Sequence, residues 1–186
     1  IGRTAESSSR PGSSPGSPIR SREASTFSSA FGPRPLTSRI LSASAASLAA
    51  ARVLEQLREI PAPRLGGVVI GEALRRGGVA PDQVEEVIMG CVLQSGLGQG
   101  VGRQAALEAG IPQTSPAWTV NQICGSGLKA VALASTMIAA GDAECIVAGG
   151  MENMSRAPYV ANFVREGRKM GPVEMVDEMV YDGLTD

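Results

Sequence analysis

The sequence predicts an α/β fold with layered helices and strands, a largely parallel sheet and one helix buried on every side. Short apolar runs of strand length alternate with helical patterns, which is how βα units are written. Glycines punctuate nearly every element, and between Gly125 and Ala140 the only charge is Lys129. A helix that is apolar on all its faces belongs inside, between layers.

The elements follow in order. In "APRLGGVVIGEALRRGGV", Leu65, Val68, Val69 and Leu74 recur at helical spacing, and Gly77 with Gly78 stops the helix. "PDQVEEVIMGCVL" centres on Val87, Ile88 and Met89, read as a short buried strand. "GVGRQAALEAG" is a helix ended by Gly110, and "PAWTVNQI" a strand running into Cys124. After the apolar helix, "AECIVAGGMENM" supplies another buried strand with glycines at its end. The glycine-rich "SGLGQGVGRQ" reads as a flexible loop. No internal repeat is present.

Residues 1–50 contain 14 serines and six arginines against two acids, Glu6 and Glu23. Such composition cannot bury enough apolar surface to offset its ordering entropy. Residues 1–56 are therefore expected to be a disordered leader, a transit-peptide-like segment, or not native sequence at all. The chain opens on Ile1 and ends at "VYDGLTD" without a closing turn, so both ends are expected to be cut.

Composition excludes several function classes. With 17 basic and 18 acidic residues the net charge is −1, which gives no field to recruit nucleic acid or an anionic membrane. The longest apolar run is broken by Lys129 and Asp142, short of the roughly 20 residues that cross a bilayer. Three separated cysteines, Cys91, Cys124 and Cys145, fit reduced thiols, and without a histidine they make a poor metal site.

Cys124 stands where an extended run turns sharply into a helix. There the free N–H groups and the positive end of the helix dipole favour a thiolate, the nucleophilic form of cysteine. Gly125 and Gly127 permit the sharp turn and a close approach by substrate. The alternative is a small core filler, since free cysteine is among the most buried residue types. A third reading takes Gly125-x-Gly127-x-x-Ala130 as a dinucleotide fingerprint, with Glu152 as its acidic partner about 27 positions on.

"NQICGSGLKAVALA", "VAGGMENMSRAPY", "EVIMGCVLQSGLGQGVGRQAALEAGIP" and the closing "DGLTD" resemble the thiolase family, specifically its acetyl-CoA acetyltransferases, over residues 57–186. The resemblance implies an incomplete, thiolase-like N-terminal half. It makes Cys124 the nucleophile that takes the acyl group from a CoA thioester. A second acetyl-CoA, deprotonated at its methyl, then attacks to give acetoacetyl-CoA, or CoA cleaves it in reverse. Acetyl-CoA and CoA are then the partners, no separate cofactor is needed, and the parent enzyme is a homo-oligomer. Leu184 in "DGLTD" is implied as a CoA contact, and Gln94 as a contact near a dimer partner's active site.

In thiolases a second, similar αβ half supplies a histidine, a second cysteine as base, and an asparagine-held water or oxyanion site. This chain has no histidine, so alone it is expected to be inactive or nearly so. A non-catalytic role as a truncated partner of full-length subunits is the alternative. The family's opening strand, marked by "S-A-x-R-T-P", is expected to be missing, because "SASAASLAAARVLEQ" does not match it. Cys91 and Cys145 are expected in the core, Met151 and Met154 around the pocket mouth, and Glu152 and Asn153 as strand-end caps. A cytoplasmic location is expected, or a mitochondrial one if residues 1–50 are a presequence.

Overall fold

The computed structural model describes residues 39–45, 56–162 and 164–186, the first of these as backbone. The expected leader falls mostly outside the described residues. Its exception is strand β1, Arg39–Ala45. Helix α1 follows at Ala62–Gly77, strand β2 at Glu86–Gly90, helix α2 at Val101–Glu108 and strand β3 at Ala117–Val120. Helix α3, Ser126–Ala140, leads into strand β4, Cys145–Met151, and a short ribbon of β5, Tyr159–Val160, with β6, Val176–Asp177. A π-helical turn, Met179–Leu184, comes last.

The main sheet runs β1-β4-β2-β3, and every pairing is parallel. β5 and β6 pair antiparallel. The expected absence of an opening strand is therefore corrected: β1 pairs along β4, from Arg39 opposite Cys145 to Ala45 opposite Met151. "RILSASA" carries little local strand signal, because serine and alanine are weak strand formers and the pairing partner lies about a hundred residues away in sequence.

Both sheet faces are covered, which explains why β2 and β4 read as continuous apolar runs. On one face Val87, Met89, Val147 and Met151 join Ile70, Leu74, Val101 and Ala105 of α1 and α2. On the other, Ile88, Ile146 and Ala148 meet Ala130 and Ala134 of α3. Successive residues of each strand thus serve opposite layers.

α1 starts at prolines and ends on Gly78, whose φ of 60° places it in the left-handed region that glycine tolerates. Its buried stripe includes Leu65, Gly66, Gly67, Ile70 and Leu74. Val68, expected on that stripe, is exposed instead. The glycines explain the rotation: a Cβ on Gly67 would lie 2.5 Å from Glu108 Cγ, and one on Gly66 would strike Met151. The helix thus turns its bare backbone, not Val68, toward its neighbours. On the solvent side Glu72 accepts from both Arg75 and Arg76. Hydrogen bonds from Arg75, then Arg76, hold its carboxyl at a pKa of about 2.

α3 departs from expectation. Only Ser126, Ala130 and Ala134 are fully buried, and Leu128 is 77% exposed. Among the described residues a single layer, the sheet, packs against it. Within Ile123–Ala140, 18 residues of mean hydropathy 1.5, the helix is long and apolar enough by composition alone to span a bilayer. Its small-residue stripe is seated on β2 and β4.

Candidate active site

Parallel α/β sheets offer their ligands the carboxyl ends of the strands. At that edge Gly90 of β2 and Gly150 of β4 are direct partners across the ladder. The first turn of α3 rests on both. A Cβ on Gly90 would lie 2.5 Å from Gly127 N and 2.7 Å from Ser126 Cβ, and one on Gly150 would lie 3.2 Å from Gly127 Cα. Three glycines thus let the helix start sink onto the sheet.

Cys124, which is exposed, lies two residues before that turn. Just before it, Ile123 has a φ of 46°, the only described residue other than glycine with positive φ. For a β-branched side chain this is a strained conformation, costing on the order of 1–3 kcal/mol. The surrounding bonds hold it there. The Ile123 N–H donates to Asn121 Oδ1 at 3.0 Å, the Gln122 N–H to Ser126 Oγ at 2.8 Å, and Ser126 Oγ–H to the Ile123 carbonyl at 2.6 Å. The Gly125 N–H closes on the Gln122 carbonyl at 3.0 Å, and the first bond into the helix runs from Lys129 N–H to the Gly125 carbonyl at 2.8 Å. Donors in the first turn have no intrahelical acceptor, so positive partial charge gathers beside the thiol. The core-filler reading of Cys124 therefore fails.

Beside this turn, the loop after β2 is held by two carboxylates. Glu152 accepts from the Val92 N–H at 2.8 Å and the Leu93 N–H at 3.2 Å, and the Cys91 thiol donates to it at 3.6 Å. Burial raises the pKa of Glu152 above the usual carboxylate range, and the two amide bonds only partly offset it. Burial first, and then the charge of Glu152, push the Cys91 thiol far up. Glu178, 2% exposed, accepts from the Ser95 N–H at 3.1 Å with one oxygen, while Oε2 has no partner. Sequence reasoning missed Glu178. Nothing in its exposed, charged surroundings marks a buried acid.

The remaining expected residues fall as follows. Gln94 is half-buried and donates to the Cys91 carbonyl at 3.0 Å. Leu184 lies exposed on the π-helical turn, whose Gly183 packs toward Leu93. Met151 is buried against α1, whereas Met154 is exposed and does not serve as packing. Cys91 is buried and Cys145 half-buried against the core. Asn153 does more than cap a strand: its amide reaches the carbonyls of Leu57, Arg58 and Ile60 at 2.7–3.2 Å. The expected flexible loop is braced by Gln104, which donates to the carbonyls of Leu97 and Gln99. Both oxygens of Glu152 are occupied by the loop amides, an arrangement that the dinucleotide reading does not anticipate. Among the described residues no group of three histidine, cysteine or acidic side chains is placed to hold a metal.

A thiol on a strained strand-to-helix turn at the carboxyl edge of a parallel sheet narrows the choice of families, and sequence comparison decides it. The family model "Thiolase, N-terminal domain" matches residues 40–186. The chain belongs to the thiolase family. Among curated thiolase relatives, acetyl-CoA acetyltransferase of Cupriavidus necator is 57% identical over 143 residues, covering 77% of this chain and 36% of that protein. The cytosolic acetyl-CoA acetyltransferase of Rattus norvegicus is 55% identical over 130 residues, or 70% of this chain and 32% of that one. A crystal structure of Acat5 thiolase from Ascaris suum in complex with coenzyme A superposes with a TM-score of 0.66 at 34% identity, covering 78% of this chain and 35% of that one. The chain thus spans about a third of the length of these thiolases. The match begins at residue 40, inside β1, so the strand absent from the sequence reading falls within the thiolase span.

Proposed function

We propose that this chain is the nucleophile-bearing part of an acetyl-CoA acetyltransferase, with Cys124 forming the acyl-enzyme. The observation that carries the reading is the exposed thiol on the Ile123 turn at the start of α3. The thiolate of Cys124 attacks the thioester carbonyl of acetyl-CoA. The bond from that carbonyl to the CoA sulfur breaks, CoA leaves as a thiolate and takes up a proton, and the acetyl group stays on Sγ. A second acetyl-CoA, its methyl proton removed by a base, attacks the acyl carbon, the bond from that carbon to Sγ breaks, and acetoacetyl-CoA is released with Cys124 returned as thiolate. In reverse, the Cys124 thiolate attacks the 3-keto carbonyl, acetyl-CoA leaves as its carbanion and takes up a proton, and CoA then takes the acyl group from Sγ.

The relatives named acetyl-CoA acetyltransferase and the coenzyme A in the Ascaris suum thiolase support these substrates. Within the same proposal Leu184 contacts CoA, and Gln94 faces the active site of a second subunit in a homo-oligomer. The base for the second step comes from outside this sequence, which has no histidine, so the chain alone is inactive in condensation. The exposed face of α3 around Leu128 is where a second αβ half stacks. A cytoplasmic location follows the rat relative, which is named cytosolic.

The test is incubation with acetyl-CoA followed by peptide mass spectrometry. Expected is one acetyl group on Cys124, lost on treatment with hydroxylamine and absent from Cys124→Ser. Acetylation spread equally over Cys91, Cys124 and Cys145, or none on a folded chain, refutes the reading.

A further inference from the structure

We propose that Ser126 is a positioning residue that aims the Cys124 thiol by holding Ile123 in the left-handed conformation. The inference rests on the reading of Cys124 as nucleophile. Ser126 is 4% exposed, and its hydroxyl joins two backbone groups that precede Cys124, the Gln122 N–H and the Ile123 carbonyl. It accepts the Gln122 N–H at 2.8 Å and donates to the Ile123 carbonyl at 2.6 Å, while its own N–H reaches that carbonyl at 3.0 Å. The two contacts tie the peptide before Gln122 to the peptide after Ile123 and so span Ile123, whose φ of 46° a β-branched residue does not choose unaided.

Geometry leaves the serine little freedom. Its Cβ lies where only a glycine at position 90 can face it, since a Cβ there would come within 2.7 Å. The hydroxyl is therefore pinned by the sheet on one side and clamps the turn on the other. Rotation of the peptide between Ile123 and Cys124 swings the Cα–Cβ bond of the cysteine. A lost clamp thus acts on the direction of the thiol without touching any reacting atom. Asn121 assists from the exposed side by accepting the Ile123 N–H at 3.0 Å, but it makes no bond to the carbonyl of Ile123.

The experiment uses the full chain and three variants: Ser126→Ala, Ile123→Asn, and the two combined. Asparagine enters the left-handed region far more readily than isoleucine, so it should hold the turn without the clamp. Two measurements are read on each. The first is the NMR φ coupling of residue 123, with the exchange rate of the Gln122 amide. The second is the rate of acetyl transfer from acetyl-CoA to Cys124, against the rate of alkylation by iodoacetamide. Ser126→Ala is expected to lose the positive φ, to speed Gln122 exchange at least tenfold, and to slow acetyl transfer at least tenfold while alkylation changes less than threefold. Adding Ile123→Asn should restore the positive φ and the transfer rate, and Ile123→Asn alone should raise the melting temperature.

A Ser126→Ala chain that keeps the positive φ overturns the inference. So does a loss of transfer that Ile123→Asn fails to rescue, because Ser126 would then act through packing or chemistry of its own. If Ser126→Ala does not fold, a lowered melting temperature in Ile123→Asn refutes the stored strain on which the inference depends. A folded wild-type chain that takes up no acetyl group sinks the acyl-transfer reading instead, and the φ coupling and amide exchange still decide the role of Ser126.

Discussion

Replacing Gly90 by alanine tests whether the start of α3 is truly seated on the sheet. The added Cβ would lie 2.5 Å from Gly127 N, 2.5 Å from Ser126 C and 2.7 Å from Ser126 Cβ. Ordinary contact begins near 3.4 Å, so the helix start must retreat by roughly 1 Å. Two of the three obstacles are backbone atoms of a helix and cannot rotate away. Overpacking of this kind costs about 1–3 kcal/mol, and the rigidity of the neighbours puts the expectation at the upper end, about 2–3 kcal/mol. For a domain of this size that is a fall in melting temperature of roughly 6–12 °C.

Thermal unfolding followed by circular dichroism measures it. The matched control is Gly71→Ala on α1, where a Cβ meets nothing within 4 Å. There alanine should stabilise by about 0.5–1 kcal/mol, through helix propensity alone. The pair must move in opposite directions. Melting temperatures within 1 °C of each other would refute the glycine-seat argument, since the same chemical change would then be indifferent to place.

Further predictions rest on the buried acids and thiols. With iodoacetamide near neutral pH, Cys124 should be labelled before Cys145 and well before Cys91, whose thiol is buried and pushed up; peptide mapping over time reads the order, and equal rates count against it. Glu152 has a raised pKa, so its contribution to stability is complete below the usual carboxylate value of 4.5 and is lost as pH rises through the folded value. Urea unfolding at pH 4.5 and pH 7.5 should therefore show Glu152→Gln less sensitive to that rise than wild type, and parallel behaviour would refute the assignment. The same variant should be destabilised at either pH by about 1–3 kcal/mol, because the Val92 and Leu93 N–H groups bond different oxygens of Glu152 and the amide sets an NH2 donor against one of them. Asn153→Ala should cost about 1–3 kcal/mol by leaving carbonyls of residues 57, 58 and 60 short of donors. An unchanged urea midpoint would show that water replaces the amide.

What the sequence disclosed was local or carried by a motif. β2 and β4 were legible because apolar runs covered on both faces are continuous, and α1 ended where Gly78 permits a left-handed cap. Cys124 was legible through its place between a strand and a helix. What stayed hidden depended on distant partners. β1 gains its identity from β4, the exposure of Val68 from two glycines facing α2 and Met151, and the burial of Glu178 from a loop 83 residues earlier in the chain. The one-sided burial of α3 was misread for a different reason. Composition reports that a face is apolar, but not whether anything covers it.

Ser126, Ala130 and Ala134 anchor one face of α3, while Leu128 and the turn at Ile123 and Cys124 stand on the open side. A helix fastened along one stripe still fixes its first turn, because Gly90 and Gly150 let that turn reach the sheet and Ser126 locks the peptides before the thiol. In the proposal for Ser126, the aim of the thiol is set by residues of this chain. Covering the open side would exclude water from the surroundings of the thiol. On the proposed roles of Cys124 and Ser126, the orientation of the thiol is measurable on these 186 residues apart from its activation.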